Sequence, residues 1–291
     1  MEALPVDAPV AARLTFSLPE AIRLAWVSDG VRALREPMIR KVRRAWGEME
    51  WRSVCQGVRR CALAQTSAED VEDLTVAAKR SGLQAAVLRV EERGSRGAGS
   101  FLLHVAIGRK RDVREFKAAW IGHDQNGMGE LLGYPACCRR FYERVFREER
   151  LTDPMWSIAM NSKTSRKEDG SVVLSGPLQL NMLLRAAGVR AVPHFPCSME
   201  CAGSLELANR LLEAGRSVGF ADEMEWLEEM LSWPVEWTGL HGIAEIRTPI
   251  LKICTRTDAT AGKLTIQWPG KGYPPDGAHG AGFPFKRLSP G

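Results

Sequence analysis

The sequence predicts a mixed α/β fold with a helix-rich centre, a small N-terminal sheet and a β-rich C-terminal segment. Three observations carry this. Two apolar runs, Gln84 to Val90 and Phe101 to Ile107, flank the Gly-rich stretch 92–99 and read as a β-hairpin. Between Cys137 and Ser232 apolar residues recur at helical spacing. Beyond Pro234, four short runs (Val235 to Leu240, Ile243 to Arg247, Ile250 to Arg256 and Lys263 to Trp268) read as strands.

Taken in order, Ser17 with Pro19 two residues on predicts a helix start, continued by Ile22, Leu24, Ala25 and Val27 and, brokenly, to about Trp51. Ser67 starts a second helix that runs through Arg80 and stops at Gly82. After the hairpin come a helix from about Arg111 to Trp120 and a short one ending near Gly133. Further helices are expected over Cys137 to Arg150, Pro177 to Ala187, Cys197 to Ala214 and Ala221 to Ser232. The last twenty or so residues are rich in Gly and Pro, and Tyr273, Phe283 and Phe285 suggest a tail that wraps the body. This divides the chain into an N-terminal α/β region (1–125), a helical region (126–233) and a β-rich segment (234–291), unless all three form one domain.

The 291 residues are 45% hydrophobic and 26% charged, with 40 Lys+Arg against 35 Asp+Glu and a net charge of +5. This composition excludes collagen-like repetition and extended disorder. No apolar run approaches the ~20 residues of a membrane span. The opening Met1 to Phe16 carries Glu2 and Asp7 and lacks the basic start and apolar segment of a secretory signal, so a cytoplasmic location is expected. In a reducing cytosol the seven cysteines are not expected to form a disulfide framework.

Four of those cysteines fall into two groups, Gly133-Tyr134-Pro135-Ala136-Cys137-Cys138 and His194-Phe195-Pro196-Cys197-Ser198-Met199-Glu200-Cys201. In each a proline precedes the cysteines and an amphipathic helix follows, which puts Cys137, Cys138 and Cys197 in first helical turns. There the orphan N–H groups and the positive helix end favour the thiolate, the form that binds metal. Cys197 and Cys201, four apart, would share a helix face. Cys137 and Cys138 diverge in a regular helix but can converge at a frayed first turn. If the two helix starts meet, four sulfurs and the nearby His194 surround one centre.

Four thiolates suit zinc or an iron–sulfur cluster. The spacing matches neither zinc knuckles nor ferredoxin runs, and the vicinal pair fits a larger cluster more easily than one tetrahedral ion. An iron–sulfur cluster is therefore the leading cofactor and zinc the alternative. Cys137, Cys138, Cys197 and Cys201 are the expected metal ligands, with Cys138 doubling as a reactive thiol and His194 donating or accepting a proton. The competing reading is that these are simply buried small hydrophobes, as Cys55, Cys61 and Cys254 are expected to be. Cys197, Cys201 and Ser204 also resemble the C-x₃-C-x₂-C motif of radical S-adenosylmethionine enzymes, but with serine in the third place and without the strand–helix repeat of their barrel.

These two segments resemble the paired motifs GYP-x-CC and H-x-PCS-x₂-C of a family of unknown function found in archaea and bacteria, over about residues 120–215. The resemblance implies that the four cysteines act as one group; it implies no particular reaction.

The expected activity is that of an enzyme acting on a small, sulfur-containing or reducible substrate. The polar loop around His123, the basic Arg139 and the segment beginning at Asn161 are its candidate contacts. A zinc-stabilised nucleic-acid-binding module is the less favoured alternative, drawing on the basic stretch Arg32 to Arg44, and a metal-free vicinal-thiol redox enzyme is the third. Other chemistry is excluded by its motifs. Gly262-Lys263 is followed by Leu264 and not by the hydroxyl residue of a phosphate loop, and neither G-x-S-x-G nor H-E-x-x-H occurs. His104 reads as a core residue and His241 as a turn residue.

Overall fold

A 27-residue helix, α1 (Asp29–Cys55), organises the fold. A computed structural model describes residues 23–93, 100–168, 171–259, 262–272 and 274. The expected helix start at Ser17 and the wrapping tail lie outside the described residues. Within them, Ser28 and not Ser17 caps α1: its hydroxyl accepts the Val31 N–H at 3.2 Å. The residues before it, expected to be helical, form strand β1 (Arg23–Trp26), paired antiparallel with β9 (Leu251–Arg256). Four residues are too few to show a period, and the partner strand decides their conformation.

The N-terminal sheet has three strands in the order β2-β4-β3. Strands β3 (Gln84–Arg93) and β4 (Ser100–Gly108) form the expected hairpin. β2 (Cys61–Ser67) was not foreseen, because Ala62 and Ala64 give its inward face little contrast with its outward one. α1 and α2 (Val71–Arg80) cover one face through Trp51, Ala62, Val105 and Ile107. α3 (Lys110–Ile121) and α4 (Gln125–Leu131) cover the other through Cys61, Ala106, Phe116 and Met128. Successive strand residues thus feed two cores. Burial pushes the Cys61 thiol up to about 12, which leaves it inert at neutral pH.

The larger sheet runs β1-β9-β8-β7-β10-β6-β5 and is antiparallel except where β10 meets β6. β7 (Val235–Leu240), β8 (Ile243–Arg247), β9 and β10 (Leu264–Trp268) are the four expected C-terminal strands. β7 and β8 join through His241 and Gly242, both at positive φ (51° and 78°), which is the backbone of a tight hairpin turn. The short pair β5 (Arg166–Glu168) and β6 (Ser171–Val173) extends the sheet from the middle of the chain. The inward faces of this sheet pack with α1, α7 (Ala202–Ser217) and α8 (Ala221–Leu231) into the main core, which also takes in Cys138, Met199 and Cys201.

α5 (Ala136–Tyr142) continues into a π-helical turn over Glu143–Glu148, and α6 (Met155–Met160) follows. The expected helix from Pro177 to Ala187 is instead two single 3₁₀ turns, Leu178–Leu180 and Arg185–Ala187. Buried Asn181 separates them. Its amide donates to the Leu231 carbonyl at 2.9 Å and accepts the Leu183 N–H at 3.2 Å, bonds that divert the chain from a continuous helix.

Between α5 and α6 the chain turns around a carboxylate pair. Asp258 accepts the N–H groups of Thr152 at 2.6 Å and Asp153 at 2.7 Å. Burial, assisted by the charge of Asp258, raises Asp153 to about 6 despite its bond from the Met155 N–H. Because this folded-state value lies above the unfolded one, the stability Asp153 contributes is complete below about pH 4 and is lost as pH rises through about 6. Asp153→Asn is expected to flatten the pH dependence of stability between those limits. At pH 7 it should leave the protein as stable or more so, by about 1–2 kcal/mol, read by denaturant unfolding at several pH values.

Candidate metal centre

The two cysteine segments meet because each ends in a constrained turn. Gly133, at φ 74°, stops α4, and Pro135 holds an extended backbone whose carbonyl accepts the N–H groups of Cys138 at 2.9 Å and Arg139 at 3.0 Å. Cys137 and Cys138 therefore occupy the first turn of α5, as expected. The second segment differs from expectation. α7 begins only at Ala202, Cys201 is its N-cap, and Cys197 lies in the preceding loop. The cysteines at 197 and 201 are brought together by that loop and not by a helix face. Pro193 and Pro196 keep the backbone out of the α region ahead of it.

Segment 161–164 holds this loop in place. The Asn161 amide donates to the Cys197 carbonyl at 2.6 Å. The Ser162 hydroxyl accepts the Met199 N–H at 2.9 Å while donating to the Ile158 carbonyl at 2.8 Å. The Glu200 carboxylate accepts the Lys163 N–H and, at 3.0 Å, the Thr164 hydroxyl. Met199 fills the core beneath at 0% exposure. The two segments touch where Gly203 faces Pro135: a Cβ at Gly203 would lie 3.0 Å from that of the proline.

All four sulfurs lie within 4.8 Å of one another. Cys201 Sγ is 3.6 Å from both Cys137 Sγ and Cys138 Sγ, and those two are 3.9 Å apart. Cys138 and Cys201 are buried, and Cys137 and Cys197 half-buried. Hydrogen bonds from Cys138 and Cys197 hold the Cys201 thiol well below its usual range, whereas bonds to Cys197 and Cys201, with burial, push Cys138 far up. Ionisation at Cys201 is thus favoured, while its bonded neighbours Cys138 and Cys197 hold their protons more tightly. A cation that replaced those protons would let all four ionise. The group is compatible with binding a metal such as zinc, or an iron–sulfur cluster.

A polar chain leads away from the sulfurs. Cys138 Sγ is 3.1 Å from Ser204 Oγ, which is 2.8 Å from His194 Nε2, and the His194 ring stacks on Tyr134 with centroids 4.7 Å apart. Burial drives His194 down to about 3, so the ring is neutral at physiological pH. Beside this chain opens a cavity of about 570 Å³, bounded by Cys138 and His194 on one side and by Phe116, Trp120 and His123 from the N-terminal region on the other. That volume falls within the ~300–1,000 Å³ of small-molecule sites.

Of the candidate substrate contacts, His123 and Arg139 line this cavity. Asn161 is not among the lining residues; its amide is committed to the Cys197 carbonyl. Sequence reasoning missed Ser204, Tyr134 and Arg185. Ser204 was visible only as the serine three residues past Cys201, and Tyr134 as part of the first motif. Arg185 gave no signal, because its segment read as a regular helix. Among the described residues no helix is long and apolar enough to cross a membrane. No family model, curated protein or solved structure matches the chain.

Proposed function

We propose that Cys137, Cys138, Cys197 and Cys201 hold a single metal ion, zinc in the first place, and that the chain is an enzyme acting on a small molecule bound in the adjoining cavity. The spacing of the sulfurs carries the first half. A tetrahedral ion with metal–sulfur bonds of about 2.3 Å sets its ligands about 3.8 Å apart, and three of the sulfurs here stand 3.6, 3.6 and 3.9 Å apart. An iron–sulfur cluster, which the vicinal pair suggested, places sulfide and further irons between its thiolates and needs them farther apart. The first turn of α5 removes the objection to a vicinal pair, since both sulfurs there face Cys201.

The cavity carries the second half. Cys138 would be both a ligand and part of the cavity wall. When Cys138 is a thiolate, the Ser204 hydroxyl donates its one proton to that sulfur and must accept Nε2–H from His194. This tautomer leaves the Nδ1 lone pair free, and Nδ1 is buried with no hydrogen-bond partner among the described residues. His194 Nδ1 would then accept a hydrogen bond from the bound molecule. The metal would supply charge stabilisation at the sulfur side of the cavity.

Cobalt(II) substitution tests this reading. One cobalt per chain, with the intense visible bands of a tetrahedral thiolate site, is expected. An octahedral, weakly coloured cobalt spectrum would contradict it.

A further inference from the structure

The cavity contains more buried donor capacity than the protein itself satisfies. Arg185 Nη1 and Arg139 Nε are buried without a hydrogen-bond partner among the described residues. Both arginines line the cavity. A buried donor left unpaired is destabilising, more so when charged, so two at one cavity call for an acceptor that enters it. Arg139 is half-committed, donating through Nη1 to the Asn126 carbonyl at 3.2 Å and to Glu130 at 2.9 Å. Arg185 has no ion pair among the described residues. It lies over the Phe195 ring at 4.3 Å, its neighbour Arg190 adds positive charge, and burial lowers it to about 10. A desolvated guanidinium at a cavity wall, with a second one nearby, is built for an oxyanion. Trp120, Tyr134 and Phe195 add aromatic faces to the wall that suit a flat apolar body.

We propose that this cavity takes a small organic oxyanion, a carboxylate or phosphate ester on a flat apolar body. Its oxygens pair with Arg185 and Arg139, and its body lies against Phe195, Tyr134 and Trp120. As the substrate class of the metal centre, this rests on the reading given under Proposed function.

The test titrates benzoate, phenyl phosphate and, as the neutral control, benzyl alcohol into the full-length chain by calorimetry, with metal content measured on the same samples. The same titrations are run on Arg185→Gln, Arg185→Lys and Arg139→Gln. The expected result is that at least one anion binds tenfold or more tightly than benzyl alcohol. Arg185→Gln weakens it about 10–100-fold, Arg139→Gln weakens it less and Arg185→Lys partly restores it, with metal content unchanged throughout. The stronger of the two anions identifies the head group. Anions that bind no better than the alcohol, or that ignore Arg185→Gln, overturn the proposal. So does an Arg185→Gln variant whose main loss is metal, because the guanidinium then balances the thiolates. Wild-type protein without metal overturns the reading of the centre, whereas metal-loaded protein indifferent to both anions overturns only this proposal.

Discussion

Cys138→Ser is expected to reduce metal affinity more than a hundredfold. Cys138 is 2% exposed, lies 3.6 Å from Cys201 Sγ, and accepts the Cys197 N–H at 3.3 Å. A serine hydroxyl stays protonated near neutral pH and is a poor ligand, so the variant loses one thiolate and the bond that ties the Cys197 loop to it. Changes to residues that merely orient a metal ligand cost about 10–100-fold, and loss of the ligand itself exceeds that. The fold is expected to survive, because Cys138 and Cys201 are a small part of a main core that draws on α1, α7, α8 and the seven-stranded sheet. Chelation of the wild type should therefore lower the melting temperature without unfolding the chain, the loss being about 4 kcal/mol if metal stands at a thousand times its dissociation constant. Metal competition titrations and thermal melts with and without chelator check both expectations. Unfolding on chelation would show the metal to be an integral part of the core.

Gly176→Ala should disturb the centre from outside it. The new Cβ would stand 2.6 Å from the Met199 carbonyl oxygen, midway along the Cys197–Cys201 loop. Backbone on both sides must move, at a cost of about 1–3 kcal/mol, and the shift is delivered to the two flanking sulfurs. Metal affinity should fall together with stability. Gly203→Ala is the comparison: its Cβ meets Pro135 Cβ at 3.0 Å, a milder contact between two ends that can part by a few tenths of an ångström. Its effect on metal is expected in the same direction and smaller. Equal metal affinity in wild type and Gly176→Ala would show that the loop accommodates the methyl without moving the sulfurs.

What the sequence displayed and what it hid follow from where each element gets its order. The hairpin β3-β4 and strands β7 to β10 alternate or run apolar over five residues or more, so pattern alone marks them. β1 and β6 are short and owe their conformation to β9 and β10, which no local window contains. The 178–187 segment looked helical, yet buried Asn181 finds its partners on α8 and in its own next turn. At the centre, Pro-Cys grouping marked all four sulfurs. The helical spacing of Cys197 and Cys201 suggested a shared face, but the hydrogen bond that Asn161 donates, and those that Ser162 and Glu200 accept, hold a loop there instead. Ser204 and Arg185 were illegible because their importance lies in what they face across the site.

The account depends most on one ion being held by four thiolates, and metal analysis of freshly purified protein beside Cys201→Ser tests this directly. The account predicts one zinc per chain, no acid-labile sulfide, and loss of the metal in Cys201→Ser. Iron with stoichiometric sulfide would contradict the single-ion centre, and protein without any metal would leave the four cysteines as a buried thiol group.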